Sequence, residues 1–144
     1  MYLGCRAVRR APVSRVIAAG LFATGLRDLV LRYKYQRRRY LAPLLADLIV
    51  TQADRTGALA DLDLLIPVPL HWTRRRHRGF NQAREIGRRL SRERGVPLIP
   101  PGVFRRVRRT SPQVSLSAAG RRENIRGAFQ LDDAAHVRGR RVAQ

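Results

Sequence analysis

The residue types that invite chemistry fall into two arginine-rich words. The first is Pro67-Val68-Pro69-Leu70-His71-Trp72, followed by Arg74, Arg75, Arg76 and then Arg78-Gly79-Phe80-Asn81-Gln82-Ala83. A short apolar run, Leu64-Leu65-Ile66, leads into it. A strand ending at Val68 would put the Pro-x-Pro turn beyond its carboxyl end, where ligands of open α/β sheets bind. A helix opening at Asn81 would add free backbone N–H groups and the positive end of a dipole. Arginines crowded on that edge could hold a diphosphate by charge-assisted hydrogen bonds. A proline-stiffened strand exit, an asparagine cap and solvated arginines account for the same residues. Composition alone favours that plainer account.

The second word runs from Arg109-Thr110-Ser111-Pro112-Gln113 to Arg121-Arg122-Glu123-Asn124. A polar loop of this length is either mobile or functional, often as a lid. Gln113, Arg122 and Asn124 could reach over a ligand from it. Other residues offer less. His71, His77 and His136 show no metal-ligand spacing. Asp132-Asp133 reads as a surface turn. Cys5 is the sole cysteine, so it makes no internal disulfide and no cysteine-based zinc site. No catalytic residue and no metal ligand is assigned.

The elements that must carry these words follow from apolar periodicity. Val16 to Leu26 is expected to start a first core helix, although Arg9-Arg10 ahead of it faintly resembles an export signal. Leu26, Leu29, Val30 and Tyr33 continue the helix at i, i+3, i+4 and i+7 spacing. Leu41, Leu44, Leu45 and Leu48 predict a second helix, with Pro43 in its first turn and Thr56-Gly57 at its end. Leu62 to Val68 predicts a buried strand. Ala83, Ile86, Gly87 and Leu90 give the apolar side of a third helix, closed by Gly95. Short strands are expected at 96–99, 103–107 and 127–131, and a turn over 137–142 feeds one more. Residues 108–124 are expected to be loop. Strand and helix patterns alternate from residue 62, after two helices, which predicts an α/β sheet with helices against it.

The charge narrows the partners. Thirty basic residues face ten acidic ones, a formal net charge of +20, and Lys34 is the only lysine. Such a chain is drawn to phosphates, nucleic acid or anionic lipid. Arginine-favouring codon usage accounts equally well for the excess of arginine over lysine, but not for the shortage of acids. No segment reaches the roughly 18 apolar residues of a membrane span, and a cytoplasmic location is expected.

Taken in order, the words resemble the ComF (ComF/GntX) family of phosphoribosyltransferase-like proteins. Leu29 to Tyr35 is similar to the family's helix ending in a lysine-tyrosine pair. Leu64 to Trp72 is similar to its Pro-Val-Pro strand exit, and Arg78-Gly79-Phe80-Asn81-Gln82-Ala83 to its most distinctive word. Arg109-Thr110, Pro112-Gln113, Leu116-Ser117, Arg122, Asn124-Ile125 and Ala128-Phe129 follow in the family's order. The resemblance implies a type I phosphoribosyltransferase-like parallel sheet with flanking helices, preceded by two helices. It implies 5-phosphoribosyl-1-diphosphate with Mg²⁺ as ligand, and a part in uptake of single-stranded DNA. Arg78, Gly79, Asn81 and Gln82, with Arg109, Gln113, Arg122 and Asn124, are the expected diphosphate-side residues.

Two departures stand out. The four-cysteine zinc module common in the family cannot be made by Cys5 alone. The acid pair and Thr-Thr-Gly loop that cradle the ribose 5-phosphate do not occur in these 144 residues. Val137 to Val142 resembles the lead-in to that strand, so the fold is expected to be incomplete at its C-terminus. Residues 1–14 are expected to be irregular and 15–144 a partial phosphoribosyltransferase-like domain, inactive alone. The alternatives are a non-catalytic basic module for single-stranded DNA or a DNA-uptake protein, and a fragment without function.

Overall fold

A computed structural model describes residues 13–144 of the chain. Cys5, Arg9-Arg10 and most of the expected irregular segment 1–14 lie outside the described residues.

Two helices come first, α1 (Thr24–Tyr35) and α2 (Ala42–Arg55). Pro43 lies in the first turn of α2, where its missing N–H costs nothing. A short strand β1 (Leu64–Leu65) leads into α3 (Trp72–Arg78) and α4 (Gln82–Arg94). The hairpin strands β2 (Phe104–Arg106) and β3 (Phe129–Leu131) flank α5 (Ala118–Ile125), and β4 (Val142–Ala143) follows.

β1 sits in the middle of a narrow parallel strip. On one side it pairs with β4, Leu64 opposite Val142 and Leu65 opposite Ala143. On the other, Leu65 N–H donates to the Pro97 carbonyl at 2.8 Å and Ile99 N–H donates to the Leu65 carbonyl at 2.9 Å. The pleat sends successive side chains to opposite faces. Leu65 packs with Val50 of α2 and Leu90 of α4. Leu64 and Ile66 pack with Ile99 on the other face, beside Val103, Phe104 and Val137. β2 and β3 form a separate antiparallel pair. The architecture is thus mixed helix and strand with a small parallel sheet.

α4 approaches the strip closely at Gly87. A Cβ there would sit 3.0 Å from both Leu98 Cδ1 and Pro67 Cγ. α1 docks through Tyr33, 1% exposed, whose ring lies 5.3 Å from that of Phe80 and packs on Leu45.

Several expectations need correction. Val16 to Ala23 is not a core helix; α1 begins at Thr24, and Val16, Leu21 and Phe22 are exposed. The arginine run at 74–78, which shows no apolar periodicity, forms the helix α3. Residues 108–124 are not loop throughout, since α5 and a 3₁₀ turn at Gln113–Ser115 lie within them. The strand expected over 62–68 is paired as a regular strand only at Leu64–Leu65, and 96–99 contributes a single bridge at Leu98.

Candidate functional site

The word Arg78-Gly79-Phe80-Asn81 is a tight junction between two helices. α3 opens at His71, whose Nδ1 lies 2.8 Å from Thr73 Oγ1 and accepts from Thr73 N–H. It closes at Gly79, which adopts φ +81° and donates its N–H to the Arg75 carbonyl at 2.8 Å. Only a residue without Cβ takes that left-handed cap cheaply. Phe80 is then buried against Tyr33 and Leu45. Asn81 starts α4, its Oδ1 accepting from the N–H groups of Ala83 and Arg84 at 3.1 and 3.4 Å.

The same Asn81 side chain reaches back to the strand exit. Its Nδ2 donates to the Val68 carbonyl at 3.1 Å. The Pro-x-Pro turn and the start of α4 are therefore one structural unit. Gln82 is 5% exposed, and its carbonyl accepts from the buried Tyr33 hydroxyl at 3.0 Å. Burial, with Glu85 nearby, raises the Tyr33 pKa well above its ordinary value. Arg78 donates to Gln82 Oε1 at 3.3 Å and lies over the Tyr35 ring at 5.0 Å.

A second group gathers around the hairpin. Asn124 clamps Ser111, accepting its N–H at 3.1 Å and donating to its carbonyl at 3.0 Å. Arg108 donates to the carbonyls of Asn124 and Arg126 at 3.0 and 2.7 Å. These residues border an open groove of about 550 Å³. The Gln113 carbonyl accepts from Arg121 at 3.0 Å, while Arg109 and Arg122 are exposed. The structure therefore brings Arg78, Gly79, Asn81 and Gln82 into one junction, sets Asn124 on the open groove and ties Gln113 to Arg121. Gly79, Asn81 and Asn124 hold backbone in place; Arg109 and Arg122 occupy solvent-facing positions.

The two groups are joined by a residue pair that sequence reasoning did not single out. Arg74 of α3 donates to the Thr110 carbonyl at 2.7 Å, and Arg106 bonds the Thr110 hydroxyl. Thr110 is 5% exposed in a run of arginines, and that one small polar residue was the available signal. Arg106 is half-buried, and burial followed by the charges of Arg74 and Arg108 lowers its pKa. Burial and then Arg88 and Arg75 do the same to Arg84, which donates to the Ile99 carbonyl at 3.2 Å. Among the described residues, none of Arg74, Arg75, Arg78, Arg84, Arg106 and Arg108 forms an ion pair. The edge is an uncompensated cationic surface.

The adjacent acids Asp132 and Asp133 are both engaged within the protein. Asp132 is held by Arg105 Nε and Nη2 at 2.6 and 2.8 Å, and that hydrogen bonding keeps its pKa below the usual value. Asp133 caps the turn Ala134–His136, accepting from Ala135 N–H at 2.9 Å. No three His, Cys, Asp or Glu side chains converge among the described residues. No helix there is long and apolar enough to cross a membrane.

No protein-family model matches the chain, and no solved structure matches it. Curated proteins do. Competence protein F of Haemophilus influenzae is 35% identical over 120 residues, 81% of this chain and 52% of that protein. DNA utilization protein YhgH of Escherichia coli (strain K12) is 34% identical over 124 residues, 84% of this chain and 54% of that protein. The YhgH of Salmonella typhi is 34% identical over 125 residues with the same coverage. The chain spans about half the length of the curated relatives it matches. With these matches and the ordered words from Leu29 to Phe129, the chain belongs to the ComF family.

Proposed function

We propose that this stretch forms the diphosphate side of a phosphoribosyltransferase-like domain in a cytoplasmic protein of DNA uptake. The observation that carries it is the Asn81–Val68 hydrogen bond, which fixes a strand exit and a helix start in one junction. Among the described residues, Arg74, Arg75 and Arg78 of the adjoining α3 form no ion pair. The names of its relatives, a competence protein and DNA utilization proteins, supply the process. The ligand in this account is 5-phosphoribosyl-1-diphosphate. Arg78, Arg109 and Arg122 offer charge to its diphosphate, Gln113 and Asn124 border it, and Gly79, Asn81 and Gln82 shape the helix start.

Were the whole protein an enzyme, diphosphate would be displaced at the ribose anomeric carbon. The protein's share would be positioning and stabilising the charge on the leaving group. Residues 1–144 carry no Thr-Thr-Gly cradle for the 5-phosphate, so this stretch alone should hold the ligand weakly. Calorimetric titration with 5-phosphoribosyl-1-diphosphate tests the assignment. Arg109→Ala and Arg122→Ala should each weaken binding about tenfold, the loss of one hydrogen bond to a charged group. Unchanged affinity in both variants would remove the loop from the site.

A second function has its own support. Trp72 is 61% exposed with Arg76 6.0 Å from its ring, and Tyr35 is 64% exposed under Arg78. Exposed aromatic faces beside arginines are how single-stranded nucleic acid is stacked without sequence preference. Binding of a fluorescent oligonucleotide should then fall steeply with salt and weaken in Trp72→Ala. Salt-insensitive binding would exclude it.

A further inference from the structure

We propose that the Nε2–H of His71 is a ligand-facing hydrogen-bond donor at the strand exit, placed to bind a phosphate oxygen. The proposal rests on the reading of this edge as a phosphate-binding surface, and it adds a neutral donor to the arginines there.

The protonation of the ring follows from its contacts. His71 Nδ1 accepts from Thr73 N–H at 3.4 Å. A nitrogen that accepts carries no proton, so Thr73 Oγ1, 2.8 Å away, donates to it as well. The neutral ring then bears its one proton on Nε2. Thr73 thus fixes both the tautomer and the direction of the imidazole.

The second nitrogen is neither bonded nor sealed. His71 is 8% exposed, and Trp72 lies beside its ring with centroids 5.7 Å apart. Among the described residues, the hydrogen bonds of the His71 side chain all go to Thr73 through Nδ1, which leaves Nε2 without a partner. Nor does Nε2 belong with the fully enclosed side-chain atoms that lack a partner. The small part of His71 that stays open therefore includes this N–H. Polar groups so nearly buried are almost always paired, and an unpaired one at an opening points to an acceptor from outside the chain.

The surroundings favour an oxyanion as that acceptor. His71 follows the strand exit whose Val68 carbonyl Asn81 holds, and its own carbonyl accepts from Arg75 N–H at 3.0 Å as α3 begins. At i+3 and i+7 from it, Arg74 and Arg78 are the half-buried arginines of α3, while Arg75 and Arg76 are exposed. None of the four forms an ion pair among the described residues. A neutral donor can bond an anion there without adding like charge to an edge that is already cationic. The donor is the ring nitrogen, not the amides of this seven-residue helix. A small diphosphate and a nucleic-acid backbone both present a suitable oxygen.

Two substitutions separate the two tasks of the ring. His71→Asn keeps a favoured side-chain acceptor for the helix start but has nothing at the place of Nε2. His71→Gln carries an amide N–H to about that place and is not among the favoured caps. The whole chain, labelled with ¹⁵N, gives ring-nitrogen signals from its three histidines, and the set lost in His71→Asn is that of His71. It is titrated with inorganic pyrophosphate, and in parallel with a short thymidine oligonucleotide, at pH 8 and constant ionic strength. The proposal requires the proton on Nε2 and a saturable shift of that nitrogen with at least one probe. It also requires calorimetric binding of that probe to weaken about tenfold in His71→Asn and distinctly less in His71→Gln. Saturation by pyrophosphate alone identifies a small anion as the source; saturation by the oligonucleotide alone identifies backbone phosphate. A proton on Nδ1, an Nε2 that moves with neither probe, parental affinity in His71→Asn, or equal losses in the two variants overturns the proposal. The diphosphate assignment would survive that outcome if Arg109→Ala and Arg122→Ala still weakened binding, and the His71 shift would stand if they did not.

Discussion

Asn81 and Val68 are joined by a side-chain hydrogen bond of 3.1 Å, and the same asparagine caps α4. One residue thus performs two separable tasks. Asn81→Ala should lose both and lower stability by about 1–2 kcal/mol, the usual range for a lost cap. Asn81→Asp keeps an acceptor for the helix N–H groups but has no donor for Val68. It should lose less, about 1 kcal/mol. Urea midpoints at unchanged m-value would show the ordering.

Gly79 stands at φ +81° between α3 and the buried Phe80. Gly79→Ala should cost about 1–2 kcal/mol, since a Cβ is forced into left-handed backbone. Gly79→Asn should cost distinctly less. Thermal melts of the two variants, compared with the parent, decide it.

Alkaline stability should report on Tyr33. Its folded pKa is raised, first by burial and then by Glu85, above the ordinary value of about 10. The neutral hydroxyl is therefore favoured in the fold. Its stabilisation is complete below pH 10 and is lost as pH climbs past that point, where the unfolded chain ionises first. Tyr33→Phe should be about 1 kcal/mol less stable at pH 8, through the lost bond to the Gln82 carbonyl, and should lack that alkaline decline. Denaturation at pH 8 and pH 11 checks both halves.

Gly87 should reject larger side chains. Gly87→Ala should show none of the roughly 1 kcal/mol that alanine normally adds to a helix interior, because its Cβ would meet Leu98 and Pro67 at 3.0 Å. Gly87→Val should lose about 1–3 kcal/mol by overpacking. Chemical denaturation gives both values.

Arg74 should control the loop beyond β2. Replacing it by glutamine removes the 2.7 Å bond to the Thr110 carbonyl. Amide exchange at Thr110 and Ser111 should quicken about tenfold, the equivalent of one hydrogen bond. Exchange in α2, which this bond does not touch, should stay unchanged.

What was legible in the sequence depended on where stability is written. α2 and α4 bury one face each, so Leu45 and Leu48, and likewise Ala83, Gly87 and Leu90, recur at helical spacing and announce themselves. α3 buries no residue at all. Its arginines carry no apolar rhythm, and the helix is specified by its ends, His71 and Gly79. α5 is similar, opened by Ser117, whose Oγ accepts from Gly120 N–H at 3.2 Å. Val16, Leu21 and Phe22 have a core composition but stay exposed, because apolar content without a facing surface gains no burial. In the candidate site, the pairing of the strand exit with Asn81 was visible as two neighbouring words. The Arg74–Thr110 link was not, because it joins positions thirty-six residues apart through a backbone carbonyl that has no side-chain signature.

The central place of β1 has a consequence for the order of folding. Residues 64–66 can hydrogen-bond to 97–99 after closing a crossover of two helices, but must recruit 141–143 from much further along the chain. Contacts so far apart in sequence incur a large closure entropy before they stabilise anything, and they form slowly. The α2–α4 layer should therefore assemble early on one face of a half-made strip, with β4 pairing late. In a cell, that flank of β1 would stay open on the ribosome at least until residues 141–143 had been made.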